Sequence, residues 1–334
     1  MKVAILGVGF IGKAHREAYA RLPNVELVAI GGCSEKRIKE WKAPHPVQFY
    51  SDPDELLKSC GAEILDICLP TFLHEEFVTK AAERGMHIIC EKPLALTVAE
   101  VDRMLAAVRK AGVTFMVAQV LRFFAQYAKC RELVQSGRLG DVFFASASRL
   151  AEPPRWAEWF RDPKKSGGAL FDLQVHDLDY LLNLFGMPDR LFAAGVQSAQ
   201  GCWDHVLNVL SYPARELSIE AGFLMPASRP FTSALRLMGT AGSLEYTFCV
   251  KGNVDVMDRA QHSLVFYPNE GPATRFDIDH ADPYLLELKY FVDTVERGGT
   301  PDAVPPEEAR NVIAMLEATK RSLELRRVVE LQHV

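Results

Sequence analysis

The sequence lacks any apolar run that approaches the roughly 20 consecutive residues needed to span a bilayer. Its first residues, MKVAILGVGF, lack the order of charged, apolar and cleavage-site regions that marks a secretory signal. The 7 cysteines are odd in number and include no C-x-x-C pair, which excludes a disulfide framework and a zinc knuckle. We therefore expect a soluble protein of the cytoplasm, where thiols stay reduced.

Positive charge is not in excess either. Lys and Arg number 38 against 43 Asp and Glu, and the resulting net charge of −5 argues against a general nucleic-acid binder. With 49% apolar and 24% charged residues, the composition is that of an ordinary globular protein. At about 150 residues per domain, the length predicts two domains.

The first third of the chain alternates between short apolar runs and amphipathic segments. The apolar runs predict buried strands at Val3–Leu6, Leu27–Ile30, Ile64–Leu69, His87–Cys90 and Thr114–Ala118. Helical periodicity predicts helices at Ile11–Leu22, Pro53–Ser59, Glu75–Arg84 and Val98–Ala111. This alternation is typical of a doubly wound parallel sheet, so residues 1–120 are predicted to form an α/β domain of the Rossmann type.

The pattern changes near residue 120. Alternation with a period of two predicts strands at 141–150, 191–196, 205–212, 217–224, 234–238, 243–248 and 263–267. Helices are predicted at Gly168–Phe185, Pro283–Arg297 and Pro306–Leu325. Residues 121–334 are therefore predicted to form an α+β substrate-binding and oligomerisation domain with an open, mostly antiparallel sheet. Because an uncovered apolar sheet face would aggregate, we expect a homodimer or homotetramer.

A glycine-rich turn directly follows the first predicted strand. It has the pattern G-x-G-x-x-G, formed by Gly7, Gly9 and Gly12, with Phe10 and Ile11 opening the helix. In this motif the glycines make a tight turn, let the backbone approach a diphosphate and pack the helix on the strand. A dinucleotide site is predicted here, and a purely structural turn is the alternative.

The position that usually reads the ribose carries no acid. NAD-binding chains place Asp or Glu about 20 residues after the glycine motif, whereas this chain has Gly31 or Gly32 there. A space without an acid can admit a 2′-phosphate, and Ser34, Lys36 and Arg37 could hold it. NADP is therefore the favoured cofactor and NAD the alternative. The cations could also be only the solvated first turn of a helix.

The turn Glu91-Lys92-Pro93 follows the fourth predicted strand. It therefore lies at the carboxyl end of the parallel sheet, where open α/β sheets bind ligands. A lysine held there can hydrogen-bond a substrate oxygen and stabilise developing negative charge. The alternative is a solvated surface lysine, which is the usual environment of this residue type.

One predicted helix carries a narrow polar stripe. Asp172, His176, Asp179 and Asn183 fall at i, i+4, i+7 and i+11 on a helix whose remaining surface is largely apolar. Such a stripe is expected to line a cleft. His176 can act as a general base near neutral pH, and Asp172 can orient it and stabilise its cation. The alternatives are a hydrogen-bonded core histidine and a helix-capping aspartate.

These motifs, taken in order along nearly the whole chain, resemble the Gfo/Idh/MocA oxidoreductases. The resemblance implies hydride transfer between a sugar or cyclic polyol hydroxyl and a nicotinamide cofactor. It places the family's lysine on Lys92, its catalytic histidine on His176 and its aspartate on Asp172. Many members carry an acid after the second strand, where this chain has Gly32, so the run GGCSEK is more similar to members that use NADP.

The resemblance also implies roles for residues with weaker signals. Pro70, Thr71 and His74 are implied to lie near the adenosine and diphosphate of the cofactor, although Thr71 could simply cap a helix. Arg122 is implied to lie near the substrate, with an interdomain ion pair as the alternative.

Two further groups complete the predicted contacts. Trp156 lies in a loop, where its indole could cover a sugar ring. We also expect Glu91 and Lys92 to contact the cofactor. Lys92, Asp172 and His176 are expected to contact the substrate. The histidines show no ligand spacing, so no metal site is predicted.

Two other function classes stay open. A non-catalytic dinucleotide-sensing regulator can have the same fold, because fold alone does not decide function. An NAD-dependent glycosidase oxidises its substrate only transiently, and would turn over glycosides with no net change in the nucleotide. A sensor has no chemical need for Lys92, Asp172 and His176 together, which favours an enzyme.

Overall fold

The computed structural model describes residues 1–32, 47–154, 158–250, 260–278 and 281–331. Ser34, Lys36, Arg37 and Trp156, which the sequence predicts as ligand contacts, lie outside the described residues. The chain divides into two compact units. The first contains Met1–Phe123 and Ala281–Ile313, and the second contains Phe124–His280 and Ala314–Val334.

The first unit contains a six-stranded sheet in which all described pairs are parallel. Its strands are β1 (Lys2–Leu6), β2 (Glu26–Gly31), β3 (Gln48–Tyr50), β4 (Ile64–Ile67), β5 (His87–Glu91) and β6 (Phe115–Ala118). The helices between them are α1 (Phe10–Tyr19), α2 (Pro53–Ser59), α3 (His74–Glu83) and α4 (Val98–Ala111). The predicted Rossmann sheet is confirmed, with β3 as an additional strand that is too short to show a period in the sequence.

The helix ends follow from local sequence. Thr97 accepts a hydrogen bond from the Glu100 N–H and the Glu100 side chain accepts from the Thr97 N–H, which makes a capping box at the start of α4. The same helix ends at Gly112, whose φ of 67° lies in the left-handed region that favours glycine at a helix C-terminus.

The strand order is β3-β2-β1-β4-β5-β6, so the direction of winding reverses between β1 and β4. Dinucleotides bind at such a switch point, outside the carboxyl ends of the strands. The glycine-rich turn follows β1 at this edge, and the turns that begin at Pro70 and at Lys92 follow β4 and β5. The topology thus gathers three of the predicted motifs at one edge of the sheet.

The second unit contains a nine-stranded sheet in the order β14-β13-β12-β11-β7-β10-β9-β8-β15. Its strands are β7 (Val142–Leu150), β8 (Arg190–Gln197), β9 (Trp203–Tyr212), β10 (Arg215–Gly222), β11 (Phe231–Gly239), β12 (Gly242–Val250), β13 (Gln261–Pro268), β14 (Thr274–Phe276) and β15 (Val329–Glu330). The pair β7–β10 is parallel and the other described pairs are antiparallel, which confirms the predicted sheet.

The helices of the second unit that precede β8 come before or after β7 along the chain. They are α5 (Ala125–Gln135), α6 (Ala169–Asp172) and α7 (Gln174–Phe185). Helix α7 packs against β7 and β10, and α6 packs against β9 and β10. Helices α8 (Pro283–Glu296) and α9 (Pro306–Leu325) follow the sheet along the chain. No helix of the described ranges is long and apolar enough to cross a membrane.

The single helix predicted over Gly168–Phe185 is wrong in one respect, because it is two helices that meet at Leu173. The His176 N–H donates to the Leu173 carbonyl at 3.3 Å, a bond that spans three residues and tightens the backbone there. Both segments keep their apolar side chains inward, so periodicity alone does not show the break.

The unit boundary also differs from the predicted division at residue 120. Residues 281–313 belong to the first unit. The reason is apolar burial: Leu288, Phe291 and Val292 of α8 lie in one core cluster with Val3 and Ile5 of β1. A helix that is distant in sequence therefore completes the first core.

Candidate active site

The glycine-rich turn fits a dinucleotide diphosphate. A Cβ on Gly7 would lie 2.3 Å from the Cys68 carbonyl oxygen, and one on Gly12 would lie 2.1 Å from the Gly7 carbonyl oxygen. Both positions therefore require glycine for packing. A Cβ on Gly9 would meet nothing within 4 Å, so this glycine faces open space at the N-terminus of α1. Gly9 offers no side chain to cap the first N–H groups of α1, which can instead receive an anion.

The backbone restricts which residue can occupy the position that the sequence predicts to read the ribose. Gly32 has a φ of 74°, in the left-handed region that other residues rarely adopt. A Cβ there would lie 3.3 Å from Leu69 Cδ2, so a side chain would be tight as well as strained. The backbone at this position therefore favours glycine, which is consistent with the absence of an acidic residue there. Phe10, which begins α1 at the same edge, is exposed.

The turn after β4 is held by a buried histidine. His74 Nε2 lies 2.8 Å from the Leu69 carbonyl oxygen, and its Nδ1 lies 3.1 Å and 3.2 Å from the Pro93 and Leu94 carbonyl oxygens. Burial lowers the pKa of His74. The buried ring therefore joins the turn after β4 to the turn after β5, at the edge of the sheet where the resemblance implies a cofactor contact. Thr71 is also buried, in a single 3₁₀ turn.

The turn after β5 places Lys92 at the carboxyl edge of the sheet. Lys92 is half-buried, and its backbone N–H donates to Glu91 Oε2 at 3.1 Å. The Lys92–Pro93 peptide is cis. Glu91 is buried, and its other oxygen, Oε1, lies 3.3 Å from His15 Nε2. Glu91 therefore faces the protein interior, whereas Lys92 is half-buried in the turn at the carboxyl edge of the sheet.

Sequence reasoning missed the buried ionic group beneath these turns. His15 Nδ1 lies 2.8 Å from Asp66 Oδ2, and the Cys68 thiol donates to Asp66 Oδ1 at 3.3 Å. Burial acts to lower the pKa of His15, but the charge of Asp66 and the contact with Cys68 raise it more, so the net pKa lies well above 6.5. Asp66 was the sequence signal that could have predicted this buried group. It is a carboxylate inside an apolar strand, and a carboxylate in that place must have a buried partner.

The side chains of this group carry atoms of the types that can bind a metal ion, and these atoms lie close together. Ligand-type atoms of His15, Asp66 and Cys68 lie within 4.8 Å of one another. The contacts of 2.8 Å and 3.3 Å are hydrogen-bond lengths, with a proton between each pair. We therefore interpret the group as a hydrogen-bonded ion pair.

The polar stripe of the second unit is narrower than predicted. Within residues 168–181, Asp172 and His176 are partly exposed and all other residues are buried. Asp179 is among the buried residues, whereas Asn183 lies beyond them and is partly exposed. The two predicted catalytic residues are thus the partly exposed residues of the segment 168–181.

A buried ion pair anchors α7 next to His176. Arg149 of β7 donates from Nε and Nη2 to the two carboxylate oxygens of Asp177, at 2.9 Å and 3.0 Å. Arg149 Nη2 also donates to Tyr127 Oη at 3.3 Å, and Tyr180 Oη donates to the Tyr127 carbonyl at 2.8 Å. This network fixes the helix on which His176 lies.

Arg122 has protein partners inside the first unit. Its Nη1 donates to the Ala303 carbonyl at 2.9 Å and lies 2.6 Å from Glu308 Oε2. The guanidinium is buried. These contacts hold the Arg122 guanidinium against Ala303 and Glu308, and the ion pair lies within one unit rather than between domains.

The chain is similar to known proteins over its whole length. Residues 1–119 match the oxidoreductase family with an NAD-binding Rossmann fold, Gfo/Idh/MocA, and residues 127–245 match the Gfo/Idh/MocA C-terminal domain. Myo-inositol 2-dehydrogenase of Thermotoga maritima is 28% identical to this chain over an alignment of 347 residues. The alignment covers 100% of this chain and 99% of that protein.

Two more proteins extend the comparison. D-xylose 1-dehydrogenase (NADP(+)) 2 of Haloferax volcanii is 30% identical, over 99% of this chain and 100% of that protein. The crystal structure of aldose-aldose oxidoreductase from Caulobacter crescentus, complexed with glycerol, has the same fold, with a TM-score of 0.84, 22% identity and 99% of each chain covered. The chain belongs to the Gfo/Idh/MocA family of NAD(P)-binding oxidoreductases.

Proposed function

We propose that the protein is a dehydrogenase that oxidises a secondary hydroxyl or hemiacetal of a sugar or cyclic polyol. The observation that carries the proposal is that Asp172 and His176 are partly exposed, whereas the other residues of 168–181 are buried. An imidazole and a carboxylate that are both accessible are suited to proton transfer near neutral pH. The sugar and polyol names of the two curated relatives support this substrate class.

Each residue of the proposed set has a separate task. His176 takes the hydroxyl proton, and Asp172 stabilises the imidazolium that forms. Lys92 donates a hydrogen bond to the reacting oxygen and stabilises its developing negative charge. The chemistry that a bound nicotinamide supplies is acceptance of the hydride from the same carbon. The protein supplies orientation and the path for the proton.

Gly9, Phe10 and Ile11 are proposed to hold the diphosphate through backbone N–H groups at the start of α1. We further propose that NADP is preferred over NAD. Gly32 supports this, because its left-handed backbone carries no acid that would repel a 2′-phosphate. The NADP named for the Haloferax volcanii relative points the same way.

The proposed function is tested with a panel of sugars and cyclic polyols, each assayed with NAD and with NADP. We expect turnover of at least one compound, with net reduction of the nucleotide. In Lys92→Met, kcat should fall by about a hundredfold with nucleotide still bound, which is the usual loss for one transition-state donor. The matched control is Lys110→Met, since Lys110 is exposed on α4.

Two results would contradict the proposal. Near-normal turnover in Lys92→Met would remove Lys92 from the mechanism. Cleavage of glycosides with no net nucleotide reduction would replace the dehydrogenase with a glycosidase.

We also propose that two copies of this chain associate through the open face of the nine-stranded sheet. One row across that face runs through Ala194, Leu207, Glu220, Ser148, Ala234, Thr247 and Ser263. Most of these side chains are small, so a second sheet can approach to about 10 Å. Leu207 is 46% exposed in this row, which is apolar surface that a second copy would cover.

A further inference from the structure

The buried group around His15 joins three elements of the first unit. His15 lies on α1, whose first turn is the proposed diphosphate site, and Asp66 lies on β4. Glu91 is the last residue of β5, immediately before Lys92. His15 therefore connects the helix that faces the cofactor with the strand that ends at the proposed catalytic lysine.

The two ring nitrogens of His15 face different carboxylates. Nδ1 lies 2.8 Å from Asp66 Oδ2, and Nε2 lies 3.3 Å from Glu91 Oε1. The first contact is a hydrogen bond, whereas the second is an ion pair without hydrogen-bond alignment. The side chains of His15 and Asp66 are fully buried, so the two acids would repel each other strongly if no cation stood between them.

Glu91 transmits this arrangement to the lysine turn. While Oε1 faces His15, Oε2 accepts the backbone N–H of Lys92 at 3.1 Å. The position of the Glu91 carboxylate thus sets the direction of the Lys92 peptide. A displacement of about 1 Å at a reacting group can lower a rate by about a hundredfold, so a small shift at this turn is significant for catalysis.

We infer that His15 is a positioning residue that holds the Glu91 carboxylate in place and thereby orients the Lys92 turn. The inference rests on the proposed function, since it assumes that Lys92 acts on the substrate. His15 contacts neither substrate nor cofactor in this role. It acts through Glu91, and Asp66 keeps the imidazole oriented for that contact.

Two amide substitutions separate the two ring contacts. In His15→Asn the amide lies near the position of Nδ1, so it can still donate to Asp66 but is too short to reach Glu91. In His15→Gln the amide extends toward the position of Nε2 and can donate to Glu91. His87→Asn is a matched control, because His87 lies at the other end of β5, where its Nδ1 accepts the Thr114 N–H.

The expected result is a loss of kcat without a matching loss of cofactor affinity. We expect His15→Asn to lower kcat by about tenfold or more, since orientation of a reacting group is lost. The dissociation constant of the nucleotide, measured by fluorescence titration, should stay within about threefold, because the diphosphate turn is unchanged. His15→Gln should recover most of kcat, and His87→Asn should keep it.

A second measurement does not depend on turnover. The rate at which acetic anhydride labels Lys92, measured by peptide mass spectrometry, reports the local order of the turn. It should rise by about twofold or more in His15→Asn, because the turn opens more often, and should change less in His15→Gln. If both histidine variants fail to fold, Glu91→Gln serves instead, because it keeps an acceptor for the Lys92 N–H and removes the charge that faces His15.

The outcomes separate the inference from the proposed function. An unchanged kcat together with an unchanged Lys92 labelling rate in His15→Asn would overturn the inference. A wild type that turns over no compound, but whose labelling rate responds to the substitutions, would leave the positioning role in place and refute the dehydrogenase. Equal losses of kcat in His15→Asn and His15→Gln would also overturn the inference, since the contact with Glu91 would then not matter.

Discussion

Arg149 and Asp177 form a doubly hydrogen-bonded ion pair that is almost entirely buried, one residue away from His176. The pair joins β7 to α7 inside the second unit. Removal of one partner would leave the other charge buried with no counter-ion, which is far more costly than removal of both.

The first prediction concerns this pair. Arg149→Met should lower the free energy of unfolding by about 3–5 kcal/mol, because the Asp177 carboxylate would be left uncompensated in the interior. The double variant Arg149→Met with Asp177→Leu should be clearly more stable than the single variant. Urea unfolding followed by circular dichroism measures both values. A double variant that is less stable than the single one would contradict the prediction.

The second prediction concerns the base. In the direction of oxidation, kcat/KM should rise with pH through one ionisation in the imidazole range and then level off, as for an imidazole base. His176→Ala should abolish that ionisation and lower the rate by about 10²–10⁴-fold. Asp172→Asn should keep the ionisation and move it to lower pH, since the imidazolium loses a negative neighbour. If the Ala variant keeps the wild-type profile, His176 is a packing residue.

The third prediction concerns the choice of nucleotide. NADPH should bind more tightly than NADH to the wild type. Gly32→Asp should reverse this preference by about tenfold or more, because a carboxylate repels the 2′-phosphate. Gly32→Ala is the matched control, since it carries the same backbone strain of about 1–2 kcal/mol without the charge. Fluorescence titrations of all three proteins decide the matter, and equal preferences in the Asp and Ala variants would refute it.

The fourth prediction follows from the raised pKa of His15. A group whose pKa is raised by folding stabilises the protein fully below its unfolded pKa, about 6.5 here, and this stability is lost as pH rises through the folded pKa. The groups that face the ring are Asp66, Cys68, Glu91 and Tyr284. Tyr19 interacts in turn with Asp66, and Glu287 with Tyr284.

The difference in unfolding free energy between the wild type and His15→Asn should therefore be largest near about pH 6 and decrease toward about pH 10. Urea unfolding at several pH values measures it. A difference that stays constant over this range would show that His15 is not protonated in the folded protein.

The fifth prediction concerns association. The wild type should sediment as a dimer or larger at micromolar concentration. Leu207→Lys should weaken the association by about tenfold or more, because a charge would be buried in the interface. Leu325→Lys is the control, since Leu325 is equally exposed but belongs to α9. A monomeric wild type would refute the proposal.

Much of the fold was predictable from local patterns. The strands β1, β2, β4, β5 and β6 lie on the apolar runs that the sequence shows, and α4 spans the predicted residues Val98–Ala111. The break at Leu173 was not predictable, because apolar side chains continue on both sides of it. Neither was the place of α8, since its apolar residues are compatible with either core.

The candidate site also has features that were predictable from the sequence and features that were not. The sequence by itself determined the glycine-rich turn, the lysine turn and the Asp172–His176 spacing, because each motif is encoded within a few neighbouring residues. Only the tertiary structure decided that His74 joins two turns and that His15 lies between Asp66 and Glu91. These contacts join residues far apart in the chain, and parallel strand pairing brings them together at one sheet edge, a relationship that no local pattern contains.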